Sequence, residues 1–406
     1  MFLLLITVLV CLPGFSQKKD FTYKFYGFVR NELYSNTRAS MSSFEGVYYL
    51  FPLDIKNDAE GNDLNAIPST YFTAIVSRVG VQMTGPSILK AKTAACIEAD
   101  FSGIGSTQAL LRIRQAYFSL DWDTHHLTVG QTWHPLFGTT MPEMLNLSTG
   151  APFQPFNRSP QIRYQYKTKQ GIKLTVAALW QFQYKSNGPE GKSTKYIQQS
   201  NIPELYAGID YQASSGWSAG VGAHMISLKP RTASIVGDKT YKVNERMTAT
   251  SFVAHTNYKK GKVNFAAKTT LASALDFSAV LVGYGISAID TRTGEQEYTP
   301  FRHSASWVSF SYGTKWKPNL FIGYAKNLGT GKSLVENAPK YGLGLDIDQL
   351  FTVNVGLSYL FLNHWKIGVE YSPSTAWYGS ADEKGRIDAT HSVTNHRTYL
   401  LTAFYF

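Results

Sequence analysis

The chain is short of several things that mark a soluble enzyme. Only 17% of its 406 residues are Asp, Glu, Lys or Arg, against about 25% in ordinary globular domains. Cysteine is nearly absent: Cys11 falls in the first apolar segment and Cys96 is then alone, which excludes an intramolecular disulfide. No zinc-protease, P-loop, dinucleotide or nucleophile-elbow pattern occurs, so no cofactor or metal is implied. The nine histidines, His224, His255 and His396 among them, have no spacing that singles out a triad. After the first apolar segment nothing approaches the ~20 apolar residues of a transmembrane helix, so any membrane crossing has to be made of strands.

What the chain has instead is aromatic rings, 14% of its residues, with 25 Tyr and 24 Phe. Rings in such numbers suit two membrane interfaces, where an aromatic side chain sits half in lipid and half among headgroups. The net charge of +11 is carried by Lys and Arg scattered singly along alternating segments. That distribution argues against nucleic acid and for small anionic solutes or an anionic membrane surface. Phe2 to Leu12 are apolar and Pro13, Gly14, Phe15 and Ser16 follow, which reads as a signal peptide over 1–16 and a barrel domain over 17–406. The segment lacks a basic start, which points to a true start upstream. Val10 is too large for a lipoprotein cleavage site before Cys11.

From Phe21 onward the pattern has period two: Lys24, Tyr26, Phe28, Arg30 and Glu32 on one parity, Phe25, Gly27, Val29 and Leu33 on the other. About sixteen such runs follow one another, the last ending on the aromatic Phe406. Short turns near Pro86, Asp123, Lys169, Ser214, Lys260, Lys317 and Asn363 alternate with long polar loops near Asn57, Thr149, Gly191, Val236, Gly294, Val335 and Lys384. A barrel with one trimmed and one elaborated rim explains that alternation; a soluble sandwich or propeller does not. The expected fold is an all-β, antiparallel, up-and-down transmembrane barrel.

Ile172, Leu174, Val176, Ala178, Trp180 and Phe182 form one apolar parity, opposite Lys173, Thr175, Gln181 and Gln183. A Lys or Arg on the lipid face at mid-depth costs about 2–4 kcal/mol, so the charged parity faces the lumen. This places Arg30, Arg78, Arg112, Arg114 and Arg163 inside, with Glu98 and Asp100 among the acidic counterweights. A basic excess in a low-dielectric pore favours anions. The connection from His134 to Ser159, rich in Phe and Pro, follows the fifth run, and is expected to fold into the lumen as a constriction loop with Glu143 and Arg158 facing the opening.

The segments LRIRQAYFSLDW (Leu111 to Trp122), LTVGQTWHPLFG (Leu127 to Gly138) and SPQIRYQY (Ser159 to Tyr166) resemble the DcaP-like family of trimeric outer-membrane porins. The resemblance covers about an eighth of the chain. It implies a sixteen-stranded trimeric channel for small anionic solutes such as small carboxylates, with basic residues at its constriction, in the outer membrane of a Gram-negative bacterium. Lipid or lipopolysaccharide would surround it, and Phe406 would address it to the barrel-assembly machinery. Members can carry an N-terminal helical segment, whereas here the first run begins almost at once after the leader. The alternatives are a closed structural or adhesive barrel and, more distantly, a membrane hydrolase. Asn31, Ser77, Gln115 and Gln131, with small Gly27, Ala95 and Ala99, are read as outward residues of the first five strands. They are expected to lie in a homotrimer interface, since an amide in hydrocarbon lacks partners.

Overall fold

A computed structural model describes residues 21–43, 46–103 and 110–406. The leader expected over 1–16, and Cys11 with it, lies outside the described residues. Alternation produces sixteen long strands: β1 (Thr22–Asn36), β2 (Ser69–Thr73 and Arg78–Ile88), β3 (Ala91–Gly103), β4 (Leu110–Asp121), β5 (His125–Trp133), β6 (Arg158–Lys167), β7 (Ile172–Leu179) and β8 (Glu204–Gln212), then β9 (Trp217–Leu228), β10 (Met247–Lys260), β11 (Val263–Ser273), β12 (Gln296–Tyr312), β13 (Trp316–Thr330), β14 (Ile347–Phe361), β15 (Trp365–Ala381) and β16 (Ile387–Tyr405). Each is antiparallel to its neighbours in sequence, and the sheet closes where β1 meets β16, with Phe28 opposite Tyr405 and Asn36 opposite Arg397. Phe406 completes the seam. Its backbone N–H and C=O exchange bonds of 3.1 Å with Gly27, and its ring covers the place a Cβ on residue 27 would take.

The short turns are tight enough to need left-handed backbone. Leu89 and Lys90 (φ 51° and 65°), like Leu362 and Asn363 (φ 50° and 58°), supply the two consecutive positive φ values of a two-residue hairpin turn. At the other rim the chain builds extra pieces, including hairpins over Ser40–Ser43 with Tyr48–Pro52 and Ala233–Val236 with Lys239–Lys242. The last five strands run further towards this rim than the sequence suggests, so the connection near Lys384 shrinks to 382–386. Alternation there continues above the bilayer, where both faces meet water or loops and the apolar contrast fades.

Outward and inward rows separate as expected. Leu174, Val176, Val355, Leu357, Ile367 and Val369 are exposed, while Thr175, Asn354, Ser358 and Glu370 are buried. Along β9, β10 and β12 the inward row changes character. Gly220, His255 and Ser311 give way to Leu228, Met247 and Phe301, which pack with Leu275, Val280 and Tyr284 of a loop folded inward from 274 to 295. The loop-bearing half of the lumen therefore carries an apolar core, and the short-turn half a polar one.

Candidate functional site: the loop-lined constriction

The connection after β5 enters the barrel, as its composition requires. Phe137, Phe153 and Phe156 are buried against Trp307 and Phe321 of the far wall and Tyr48 of the first hairpin. Polar groups of several strands then grip its backbone. Lys268 on β11 donates to the Phe137 carbonyl, and Ser309 on β12 receives the Glu143 N–H at 3.1 Å. Glu370 on β15 accepts from the N–H of Leu145, from the N–H of Asn146 (3.1 Å) and from its side-chain amide (3.0 Å). Arg30 on β1 closes the grip from the other side, donating to the Leu145 carbonyl while bound to Glu32 and to the Tyr399 hydroxyl (2.7 Å).

The early wall is arranged differently. Arg112 makes a bidentate pair with Asp100 (3.0 and 2.8 Å), and Arg114 bridges Glu98 and Asp100 at 2.7 Å each. Arg78 lies 3.7 Å from Glu98 and over the Phe28 ring. Arg114 owes its position to a bulge: Glu98 stands opposite Gln115 and Ala99 opposite Ile113, so Arg114 is the extra residue. Gln115 thus shares the inward face of Glu98 and receives the Thr132 hydroxyl, instead of pointing to lipid as expected. Gln131 does face outward, yet its amide is satisfied by the Ile113 and Arg114 carbonyls that the bulge frees. Ser77 likewise receives the Arg30 N–H.

The expected site residues divide accordingly. Arg78, Arg112, Arg114, Glu98 and Asp100 meet in one network, Arg163 sits half-buried beside it with a weak bond to the Trp133 carbonyl at 3.4 Å, and Arg30 belongs to the loop grip. Glu143 pairs with Lys317 of β13 at 3.0 Å on the opposite wall. Arg158 does not reach the opening. It is 1% exposed, stacked on Trp133 at 4.6 Å and bound to the Tyr184 hydroxyl, because the chain turns into β6 beneath the aromatic loop. Glu370 and Lys268 carry the loop, a role that parity could not distinguish from ordinary lumen polarity.

Two histidine groupings resemble chemistry more than they can deliver it. His134, Glu204 and His224 bring three metal-type donors within 4.8 Å of one another. However, His134 Nδ1 accepts the Leu136 N–H at 3.1 Å, so its Nε2 carries the proton donated to Glu204 and has no lone pair for a metal. Thr140, His255 and Asp210 form a relay of 2.9 and 3.1 Å, but Thr140 is 3% exposed, so the relay holds the loop and presents no nucleophile. His396 lies on the outer face, bound to Tyr371.

Residues 16–194 match the profile of the family described as DcaP outer membrane protein. The fold is similar to that of the outer membrane channel DcaP of Acinetobacter baumannii, with 20% identity, a TM-score of 0.67, and 97% of this chain and 100% of that one covered. It is also similar to a trimer form of the outer membrane protein OmpT of Vibrio cholerae (13% identity, TM-score 0.55, 95% and 99% covered) and to an anion-selective porin from Comamonas acidovorans (9%, 0.54, 95% and 100%). No curated protein sequence matches the chain. The profile match, the closed sixteen-stranded wall and the inward loop agree: over residues 16–194 the chain is similar to the DcaP outer membrane protein family, and the whole chain folds as a closed sixteen-stranded β-barrel like those of outer-membrane channels.

Proposed function

We propose that the barrel is a porin for passive diffusion of small hydrophilic solutes, with a preference for anions such as small carboxylates. The observation that carries this is an imbalance of pairing. Among the described residues every inward carboxylate named above is engaged: Glu32, Glu98, Asp100, Asp210 and Glu143 by cations, Glu204 by two histidines, Glu370 by loop N–H groups. Among the described residues Arg163 and Lys366, both half-buried, have no carboxylate in ion-pair distance, and Lys268 donates to a carbonyl and lies over the Phe137 and Trp307 rings. Uncompensated cations in a narrow lumen raise the local concentration of anions. In a planar bilayer under a salt gradient, the reversal potential should have the sign of anion preference. Replacing Arg112 and Arg114 together by Ala leaves Glu98 and Asp100 exposed to the pore and should shift that potential towards cations. An unchanged value would place the selective region elsewhere. The apolar core in the loop-bearing half favours a second reading, a closed structural barrel, and absence of conductance from correctly folded protein would select it.

We further propose a homotrimer joined through β16, β1 and β2, in place of the wider surface over the first five strands. Asn31 stands opposite Thr402 on the outer face, level with Ile367, and Ser35 stands opposite Thr398 and bonds Thr70 at 3.1 Å. Polar groups in the hydrocarbon belt cost several kcal/mol unless protein covers them. Cysteines at Asn31 and Thr402 should cross-link between subunits in intact membranes, and cysteines at Val176 and Val355 should not. Residues 1–16 serve in this reading as the cleaved leader, Phe406 as the signal to the assembly machinery, and the remaining wall as the face for lipid and lipopolysaccharide.

A further inference from the structure

On the side of the barrel away from β16, β1 and β2, the outer wall carries a groove of about 750 Å³. Val176 on β7, Ile209 on β8, Val221 on β9, and Phe252 and Ala254 on β10 line it, and it reaches Leu271 on β11. All but Ala254 are exposed members of the outward rows, so the groove opens away from the lumen. Followed towards the loop-bearing rim, the outward row of β10 passes from Phe252 through Thr250 and Thr248 to Arg246. The row of β12 passes in the same way from Val308 through Ser306 and Ser304 to Arg302, which stands opposite Ser273, one outward position beyond Leu271. Both arginines are exposed, and among the described residues neither has a carboxylate in ion-pair distance. The glutamates near them in sequence are disposed towards the loops and the lumen. Glu297 pairs with Lys332 at 2.8 Å, Glu295 accepts the N–H groups of Asn244 and Glu245, and Glu245 is in electrostatic reach of Tyr298, which packs on the inward core.

The depth of the two arginines follows from strand geometry. Tyr312 and Tyr258 sit on the outward rows at the short-turn ends of β12 and β10, Tyr258 against Trp217 at 4.8 Å, and mark one membrane interface. Arg302 is ten residues from Tyr312 and Arg246 twelve from Tyr258. At about 3.3 Å per residue along strands tilted by about 45°, these are rises of ~23 and ~28 Å, against an apolar band about 25 Å tall. Both guanidiniums are therefore at the other interface, on the loop-bearing side, and the groove lies beneath them at acyl depth. Arginine at that level attracts anionic headgroups. Two unpaired arginines on strands about 10 Å apart match a headgroup with two phosphates better than the single phosphate of a phospholipid. We infer that β8 to β12 form a docking site for one molecule of lipopolysaccharide. Its phosphates meet Arg246 and Arg302, and one of its acyl chains fills the groove. The inference rests on the reading of this wall as a face for lipid and lipopolysaccharide, and deepens it to a single site. A trimer joined through β16, β1 and β2 leaves the site free, because β9 is half the circuit away from β1.

The test is native mass spectrometry of the delipidated full-length barrel in detergent, titrated separately with diphosphoryl lipid A, monophosphoryl lipid A and phosphatidylglycerol. One diphosphoryl lipid A should bind each barrel saturably, severalfold tighter than the monophosphoryl form and at least tenfold tighter than phosphatidylglycerol. Arg246→Gln combined with Arg302→Gln should weaken it at least tenfold. Ala254→Trp, which fills the groove and leaves the charges in place, should weaken it about threefold. Lys169→Gln combined with Lys259→Gln removes the same charge from the short-turn rim and should leave the affinity unchanged. The inference is overturned if no first lipid saturates, if phosphatidylglycerol binds as tightly as lipid A, or if the two charge-removing pairs weaken binding alike. Insertion of the unaltered barrel into a planar bilayer judges the reading of the wall separately: a barrel that inserts and shows none of this discrimination has a lipid-facing wall and no lipopolysaccharide site.

Discussion

The two walls of the lumen solve the same problem in opposite ways. On β3 and β4 the buried charges satisfy one another: Arg112, Arg114, Glu98 and Asp100 form a network of ion pairs among themselves. On β10 to β15 the polar groups are satisfied by the loop, with Glu370, Ser309, Lys268 and His255 bound to its backbone or to Thr140. A self-contained network sets the electric field of the passage. A wall that uses the loop as its hydrogen-bond partner sets the shape of the passage. Field and shape are thus assigned to separate residues, and each can be altered with little change to the other.

The largest effect should come from cutting the second wall. Glu370→Ala leaves the N–H groups of Leu145 and Asn146 without acceptors in a buried place, at a cost of roughly 1–3 kcal/mol each. The loop apex is expected to leave the wall. Single-channel conductance should rise and become noisy, and hydrogen exchange over 141–147 should accelerate. Arg78→Ala, on the first wall, should change selectivity with a quiet baseline and an unmoved loop. If both variants give the same noise, the walls do not differ in the way described.

A contribution of intermediate size comes from the apolar half. Asp276 is buried in the inward loop, its Oδ2 accepting two bonds from Asn187 (2.8 and 2.7 Å) and its Oδ1 unpartnered. Two residues on, Ser278 receives the N–H of Phe156 from the constriction loop at 2.8 Å. Burial pushes the Asp276 carboxyl up to about 6 from an ordinary 3.8, against a smaller pull from Asn187 and Lys192. The packed loops therefore hold the proton more tightly than the open ones. Their packing is fully favoured below pH ~4 and loses up to about 3 kcal/mol as pH rises through 6. Exchange over 274–281, corrected for its intrinsic pH dependence, should be slower at pH 5 than at pH 7.5. Asp276→Asn should abolish the difference and protect the loop at pH 7.5. A pH dependence that survives the substitution would assign it to another group.

The sequence revealed the wall better than its contents, for a physical reason. Lipid outside and water inside impose period two on every strand, so the sixteen strands, the seven tight turns and the entry of the loop after β5 could be read from alternation and composition. A single bulge defeats that reading locally: one extra residue at Arg114 turns Gln115 inward, a shift no propensity signals. Glu370 looked like any lumen carboxylate, because its partners are backbone groups more than two hundred residues away in sequence. Leu275, Val280 and Tyr284 belong to a loop, and only the closed barrel brings them against Met247 and Phe301. Arg158, expected at the opening, is under aromatic rings because the turn into β6 passes beneath the loop.

The smallest expected effect is at the one place above where loop and far wall meet through charges. Lys317 and Glu143 are 3.0 Å apart, with side chains 30% and 31% exposed. Water screens such a pair, which is worth less than ~1 kcal/mol, and the loop does not depend on it because Ser309 already holds the Glu143 N–H. Lys317→Met should therefore leave the melting temperature unchanged and move the reversal potential slightly towards cations. Glu143→Gln should move it by a similar amount towards anions, and the double variant should return it close to the starting value. At ~1 M salt, where the screening length falls to ~3 Å, all three shifts should shrink together. If Lys317→Met instead produced the noisy conductance expected of Glu370→Ala, the pair would be part of the loop's mechanical attachment, and the separation of field from shape would fail at this contact.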